Sequence, residues 1–231
     1  MLFMSSDSEW ENIYLAGKQI MRWPSSELIS AYFRHKDHLP IINIHQQIKV
    51  MELGFGTGPN LAFFKSLSAD IYGLEISPTA YKIALDYFPE LSESLHLGSF
   101  EDLDKVSSDF DIIYDRAAVT HAPRKIIQNT INKAFRALRP GGLYFAIEWF
   151  STNHSALKTK SEYVDIYTRR NFEYGQFYGL GSVHFSDKDE ILRIFKQFNI
   201  LEMKEKIVTN NMQKLNEDKL ATWNIVAKKP L

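Results

Sequence analysis

The hydrophobic positions along this chain alternate between two kinds of pattern. Short apolar runs occupy 48–53, 70–75, 94–98, 110–115 and 143–148, and amphipathic stretches lie between them over 59–67, 78–88 and 123–138. Apolar runs of that length read as buried strands, and their alternation with helical periodicity predicts a parallel sheet covered by helices on both faces. Pro59 and Pro78 stand at about the first helical position, where the missing N–H costs nothing, and Pro123 is expected to do the same. The run Arg139-Pro140-Gly141-Gly142 reads as a sharp stop before the fifth strand.

Beyond 148 the pattern changes. Residues 150–183 are polar, rich in tyrosine (Tyr163, Tyr167, Tyr174, Tyr178) and broken by Gly175, Gly179 and Gly181. Order then returns, with Ser186-Asp187 as a cap for a helix over 188–198. Two extended runs, 200–208 and 220–228, flank a polar loop around Asn210-Asn211 and predict an antiparallel hairpin. Ahead of the first strand, 8–38 predicts one or two helices anchored by Trp10, Tyr14 and Trp23. The absence of repeats, low-complexity tracts and linkers predicts one domain over 1–231. Its parts are a helical N-terminal lid (1–45), a cofactor-binding core (46–148), an acceptor-side insertion (149–185) and a terminal helix with hairpin (186–231).

Composition narrows the function classes. With 231 residues, 45% hydrophobic and 24% charged, the chain can bury a full core. A net charge of −1 argues against a nucleic-acid surface. No cysteine is present, which removes disulfides, thiolate metal sites and a cysteine nucleophile. His35 and His38 have the spacing of half a metal pair, but no third ligand lies near, so no metal is expected. The first residues do not read as a signal peptide and no apolar run has the length of a membrane span, so a cytoplasmic protein is expected. Nothing in the pattern sets an oligomeric state.

The chemistry concentrates at Glu52-Leu53-Gly54-Phe55-Gly56-Thr57-Gly58-Pro59, where a strand ends in a glycine turn that opens into a helix. Glycine lets a ligand approach the main chain closely, and a nucleoside-type cofactor needs that bare surface. A dinucleotide fingerprint puts its third glycine three residues after the second, where Pro59 stands instead. Glu75, with Ile76 beside it, ends the next strand about twenty residues on, where in both nucleotide-binding folds an acid accepts hydrogen bonds from ribose hydroxyls, which supports a nucleoside ligand without choosing between them. Strand ends line the ligand crevice of an open parallel sheet, so Asp115, Arg116 and His121 fall where two substrates would meet. His121 is the candidate general base, Asp115 and Arg116 complete the candidate catalytic set, and Arg116 suits an acidic substrate group. His184 is a weaker candidate for the same site. The tyrosines of 163–178 are candidates for an acceptor pocket, and Trp10, Tyr14 and Trp23 for a cover over the cofactor.

The glycine turn, in the form E-x-G-x-G-x-G, resembles the first motif of class I S-adenosylmethionine-dependent methyltransferases, and the order of strands and helices resembles theirs as well. The resemblance covers about 46–148 and, more loosely, the terminal hairpin. It implies a Rossmann-like α/β fold whose seven-stranded sheet has the order 3-2-1-4-5-7-6, with the last strand antiparallel and helices on both faces. It implies S-adenosyl-L-methionine as cofactor, with Glu52 near the methionine ammonium and Gly54, Gly56 and Gly58 against the carboxypropyl and ribose parts. Family members often carry an acid where Ser99 stands, so either Ser99 accepts from the adenine amino group, or Glu101 or Asp102 reaches over, or the contact is lost; Phe100 would cover the ring. Asp115 counts among the cofactor-binding candidates too. The segment Asp115-Arg116-Ala117-Ala118 resembles the D-R-[GA]-A of thiopurine-type methyltransferases. The W-E-N-I-Y start and the G-S-V-H-F segment resemble bacterial small-molecule methyltransferases. The implied reaction is methyl transfer to an oxygen or nitrogen of a small-molecule acceptor, with no nucleic-acid or membrane partner. The alternatives are an NAD-dependent oxidoreductase on a similar fold, against which Glu52 and Pro59 speak, and a non-catalytic S-adenosylmethionine-binding protein.

Overall fold

The computed structural model describes residues 6–40, 47–210 and 218–231. Two helices, α1 (Ser6–Leu15) and α2 (Ser26–His35), precede the sheet. Then come β1 (Lys49–Leu53), α3 (Pro59–Ser66), β2 (Asp70–Glu75), α4 (Pro78–Tyr87), β3 (Leu95–Leu97), α5 (Leu103–Val106), β4 (Phe110–Arg116), α6 (Arg124–Ala137) and β5 (Leu138–Phe150). The insertion carries β6 (Glu162–Tyr163), β7 (Thr168–Arg170) and β8 (Val183–His184), and the chain finishes with α7 (Lys188–Ile194), β9 (Asn199–Asn210) and β10 (Asp218–Lys228).

The main sheet has the order β3-β2-β1-β4-β5-β10-β9, which is the expected order once the three short insertion strands are set aside. The first five strands pair in parallel, and β10 runs antiparallel to both β5 and β9. Successive side chains of a strand point to opposite faces, so the near-continuous apolar runs serve two cores at once. On one face Met51, Ile113 and Tyr144 pack with Ile127 and Ile131 of α6 and Ile191 and Ile194 of α7. On the other, Val50, Ile112, Tyr114 and Phe145 meet Leu28 and Tyr32 of α2 and Leu61 and Phe64 of α3.

Four local expectations change. Pro123 is the N-cap of α6 rather than its first residue, with extended backbone and the Ile127 N–H donating to its carbonyl. The cap of α7 is Asp187, whose Oδ1 accepts from the Glu190 N–H at 2.7 Å, and not Ser186. The fifth strand begins at Leu138 and takes Pro140 and Gly141 into an irregularity of its pairing with β4, so the proline and glycines bend a strand instead of stopping a chain segment. The insertion has its own small antiparallel sheet, β6-β7-β8, and a core of Phe150, Phe172, Phe177, Val183 and Phe185. Asn211 lies outside the described residues.

The interlock that sets the glycine turn on the sheet is Phe55 over Gly73. A Cβ on Gly73 would lie 2.5 Å from Phe55 Cδ1 and 2.9 Å from Leu95 Cδ2, so the bare backbone of β2 is what lets the buried Phe55 ring lie against it. Gly73→Ala is therefore expected to destabilise the fold by about 1–3 kcal/mol through overpacking. Urea unfolding checks this, and an unchanged midpoint would mean that Phe55 has room to move.

Candidate active site

The turn after β1 takes left-handed backbone at every glycine, with φ of +70° at Gly54, +56° at Gly56 and +83° at Gly58. This accounts for the alternation in the sequence, because residues with a Cβ resist that region. At two of them space is short as well. A Cβ on Gly54 would meet Ala118 Cβ at 2.5 Å, and one on Gly56 would meet Tyr14 Oη at 2.7 Å.

Two carboxylates stand at the turn. Glu75 is buried; its Oε2 accepts from the Gly56 N–H and its Oε1 from the Ser77 N–H, each at 2.8 Å. Burial pushes its carboxyl up while the N–H groups of Ser77, Gly56 and Ile76 pull it back. Glu52, equally buried, accepts from Asn60 Nδ2 and Tyr114 Oη, both at 2.8 Å. Burial raises its carboxyl to about 8 against those two donors, and the charges of Glu75 and Asp115 add to the rise.

These groups open onto a cleft of about 400 Å³. One end is bounded by Glu75, Ile76, Gly98 and Phe100, the other by Arg116, His121, Glu148, Phe150 and Phe177; of α1, Tyr14 lies over Gly56 between them and Trp10 against His121. Helix α1 is fastened there by Glu11, which accepts from Ser77 Oγ and Thr79 Oγ1 at 2.6 Å and from the Thr79 N–H at 3.1 Å. That carboxylate sits at the N-terminus of α4, where the helix dipole favours it.

Comparison with known proteins agrees with this layout. A family profile described as a methyltransferase domain matches residues 50–142. The sterol 24-C-methyltransferase of Neurospora crassa is 29% identical over 137 residues, 57% of this chain and 36% of that protein. The one from Gibberella zeae is 33% identical over 129 residues, 53% of this chain and 33% of that protein. The matches thus span about a third of the length of these curated relatives. Among solved structures, a SAM-dependent methyltransferase from Methanosarcina mazei superposes with a TM-score of 0.64 at 18% identity, over 90% of this chain and 99% of that one. A Burkholderia thailandensis 1,6-didemethyltoxoflavin-N1-methyltransferase, solved with that compound and S-adenosylhomocysteine, reaches 0.65 at 12% identity, over 97% of this chain and 87% of that one. At these identities the structures establish the fold. Residues 50–142 thus match a methyltransferase domain, and the chain has the fold of S-adenosylmethionine-dependent methyltransferases.

The donor set of the cleft fits S-adenosylmethionine, the cofactor that the sequence resemblance implies. The ligand brings a cationic ammonium, a sulfonium and ribose hydroxyls, and the cleft offers two buried carboxylates beside a bare glycine backbone. A diphosphate would face Glu52 and would find the Gly56 N–H already engaged by Glu75. Among the described residues no cluster has the make-up of a metal site, and no helix is long and apolar enough to cross a membrane.

The sequence-derived candidates divide sharply. Glu52, Gly54, Gly56, Glu75, Ile76, Phe100, Arg116 and His121 all line the cleft. Gly58 stands just behind them as the N-cap of α3. Ser99 does not line the cleft: its Oγ accepts from the Glu101 N–H while Asp102 accepts from the Ser99 N–H, a capping box that turns the side chain back onto its own helix start. Glu101 and Asp102 do not take its place, since neither lines the cleft and each has a partner elsewhere, Asn129 for Glu101 and Lys105 for Asp102. Asp115 is also removed from the catalytic and cofactor-binding sets. It is fully buried and accepts from the N–H groups of Ala118 and Val119, from Tyr144 Oη and from Trp149 Nε1, all at 2.9–3.1 Å, so every side of the carboxylate is taken.

Arg116 reaches the cleft already paired, its Nε donating to Glu148 Oε2 and its Nη1 lying 3.6 Å from Met21 Sδ. His121 is buried, has the Ser182 backbone as a hydrogen-bonding partner, and carries Nδ1 without one; burial pulls the imidazole down to about 4. His184 sits in the insertion sheet against Thr168, and His35 pairs with Glu202. Trp23 is exposed, as are Tyr163, Tyr174 and Tyr178, while Tyr167 bonds Asp187 and Arg193 away from the cleft. The cleft takes Phe150 and Phe177 from the insertion instead.

Glu148 is the functional candidate that sequence reasoning missed. It has φ of +58°, a strained value for a side chain with a Cβ, at a break in the β5–β10 register where its N–H donates to Asn224 Oδ1 at 2.9 Å. Its position at the carboxyl end of the fifth strand was signal enough, by the same rule that found Arg116. Because Asp115 holds the loop after β4 against β5, Asp115→Ala is expected to lower stability by about 2–4 kcal/mol by leaving several buried donors unpaired. Denaturant unfolding measures it, and a loss below half a unit of that scale would show that water replaces the carboxylate.

Proposed function

We propose that this protein transfers a methyl group from S-adenosylmethionine to an oxygen or nitrogen atom of a small molecule. The observation that carries this reading is the continuity of the cleft, which joins the carboxylates of the glycine turn to His121 and Glu148 at the next two strand ends.

Each residue then has a task. Glu75 accepts from the ribose hydroxyls with the lone pairs that Gly56 and Ser77 leave free. Ile76, Gly98 and Phe100 flank the adenine. Glu52 faces the ammonium, Gly54 and Gly56 offer their bare backbone, and Gly58 shapes the turn behind them. Helix α1 serves as the lid, with Trp10 and Tyr14 excluding water. When bound, the cofactor supplies a methyl group on a sulfonium, whose electron pair stays on sulfur as the acceptor atom takes the carbon. His121, neutral at physiological pH, takes up the proton of the acceptor as it is methylated, the X–H electron pair staying on the acceptor atom. With so good a leaving group, alignment and dryness are the protein's main contribution.

An oxidoreductase reading would have to place a diphosphate beside Glu52, in a turn whose third glycine stands two residues after the second. A purely binding role leaves the open Nδ1 of His121 without a purpose. Transfer of labelled methyl from S-adenosylmethionine into the small-molecule fraction of a cell extract tests the reading, and label found only in protein or nucleic acid would refute it.

Two further outcomes follow from the cofactor half. Glu75→Ala should weaken S-adenosylmethionine binding by about 1–3 kcal/mol, the scale of hydrogen bonds to a charged group. Calorimetry reads this directly, and unchanged affinity would take Glu75 out of the ribose site. Glu52 gives a pH dependence. Its carboxyl titrates at about 8 without cofactor, so below that pH it holds a proton that a facing ammonium expels. Affinity should therefore rise with pH toward 8 and level off above it, with proton release on binding only below the carboxyl's titration. Glu52→Gln should remove Glu52's part of that slope; a variant with the full slope would assign it to the ligand alone.

A further inference from the structure

The two ends of the cleft differ in chemistry, and the acceptor end is specific about what it can hold. Its walls are aromatic. The His121 ring lies edge-on to Trp10 at 4.8 Å and to Phe150 at 5.6 Å, and Phe150 meets Phe177 at 4.7 Å. Its charges are already compensated. Arg116 is paired with Glu148, Lys206 with Glu27 at 2.6 Å, and Lys206 also feels the charge of Glu148. An anionic or cationic acceptor would lose its water here without gaining a free counter-charge.

One polar atom remains unanswered. Among the described residues that line the cleft, His121 Nδ1 is the one buried side-chain atom without a hydrogen-bond partner. The imidazole already uses the Ser182 backbone as an acceptor, which fixes one nitrogen as the donor and leaves a lone pair on the other. A buried lone pair is costly until a donor reaches it, so the ligand that completes this site must bring an O–H or an N–H.

Resting on the reading of the cleft as a methyl-transfer site, we infer that the acceptor is a flat, uncharged ring compound that carries a phenol-type O–H or a ring N–H, seated against Trp10, Phe150 and Phe177 with that hydrogen directed at His121. The flat shape follows from the ring walls, the neutrality from the compensated charges, and the donor from the open lone pair. Burial, which keeps the imidazole neutral, makes it an acceptor over the whole physiological range.

The test is calorimetric and does not depend on turnover. The protein is first titrated with S-adenosylhomocysteine, then, saturated with it, with four probes on one ring system: naphthol, methoxynaphthalene, naphthoate and naphthylmethylammonium. Naphthol is expected to bind about tenfold more tightly than each of the other three, the scale of one buried hydrogen bond or one uncompensated charge. In His121→Phe the gap between naphthol and methoxynaphthalene should close. Naphthoate or the ammonium probe binding as tightly as naphthol overturns the inference, as does no binding of any probe, or a gap that survives in His121→Phe. Failure of S-adenosylhomocysteine itself to bind would instead strike at the methyl-transfer reading, and this inference would fall with it.

Discussion

The Glu75 carboxylate is the interaction on which the cofactor half of the cleft depends. It is buried at the end of β2, and its two oxygens hold the Gly56 N–H of one turn and the Ser77 N–H of the next. From Ser77 the connection continues, since its Oγ caps α4 at Ala80 and donates to Glu11 of α1. Helix α1 then brings Tyr14 back over Gly56, close enough that a Cβ there would clash with the phenol. Two strand ends, a helix N-terminus and the covering helix are thus joined in one ring of contacts around the site. Burying a carboxylate is expensive, and here the backbone donors that stabilise it are the ones whose positions the ligand must find.

A second carboxylate organises the other half without touching it. Asp115 collects donors from the loop after β4 and from Tyr144 and Trp149 on β5, which fixes Ala117 and Ala118 in place. Ala117 has φ of +52° and Glu148 +58°, so two of the left-handed non-glycine residues among the described ones lie at the strand ends where the acceptor would sit. The strain is held by buried partners on both sides, Asp115 beneath one and Asn224 behind the other. Both acids are pushed up by burial, Asp115 to about 6 and Glu52 to about 8, yet only Glu52 lines the cleft.

The sheet and the glycine turn were legible because their signals are local. Strand periodicity, proline at helix starts and glycine at left-handed positions are set by the residue itself. Side-chain direction is another matter. Ser99 and Asp115 stand at positions where a cofactor or acceptor contact was expected, yet one turns back into a capping box and the other is swallowed by donors from β5, and neither partner is near in sequence. Arg116 was found, but its pairing with Glu148 depends on the register of β4 against β5. The insertion misled in composition: its exposed tyrosines drew attention as pocket candidates, whereas the apolar rings of Phe150 and Phe177 line the cleft because burial favours the ring that leaves no hydroxyl to satisfy.

The most direct measurement is a paired calorimetric titration of the purified protein with S-adenosylmethionine and with NAD. The account predicts saturable binding of S-adenosylmethionine at one site per chain and no heat from NAD, because the Gly56 N–H is engaged by Glu75 and the glycine spacing lacks the third glycine of a diphosphate turn. Binding of NAD with silence from S-adenosylmethionine would contradict it.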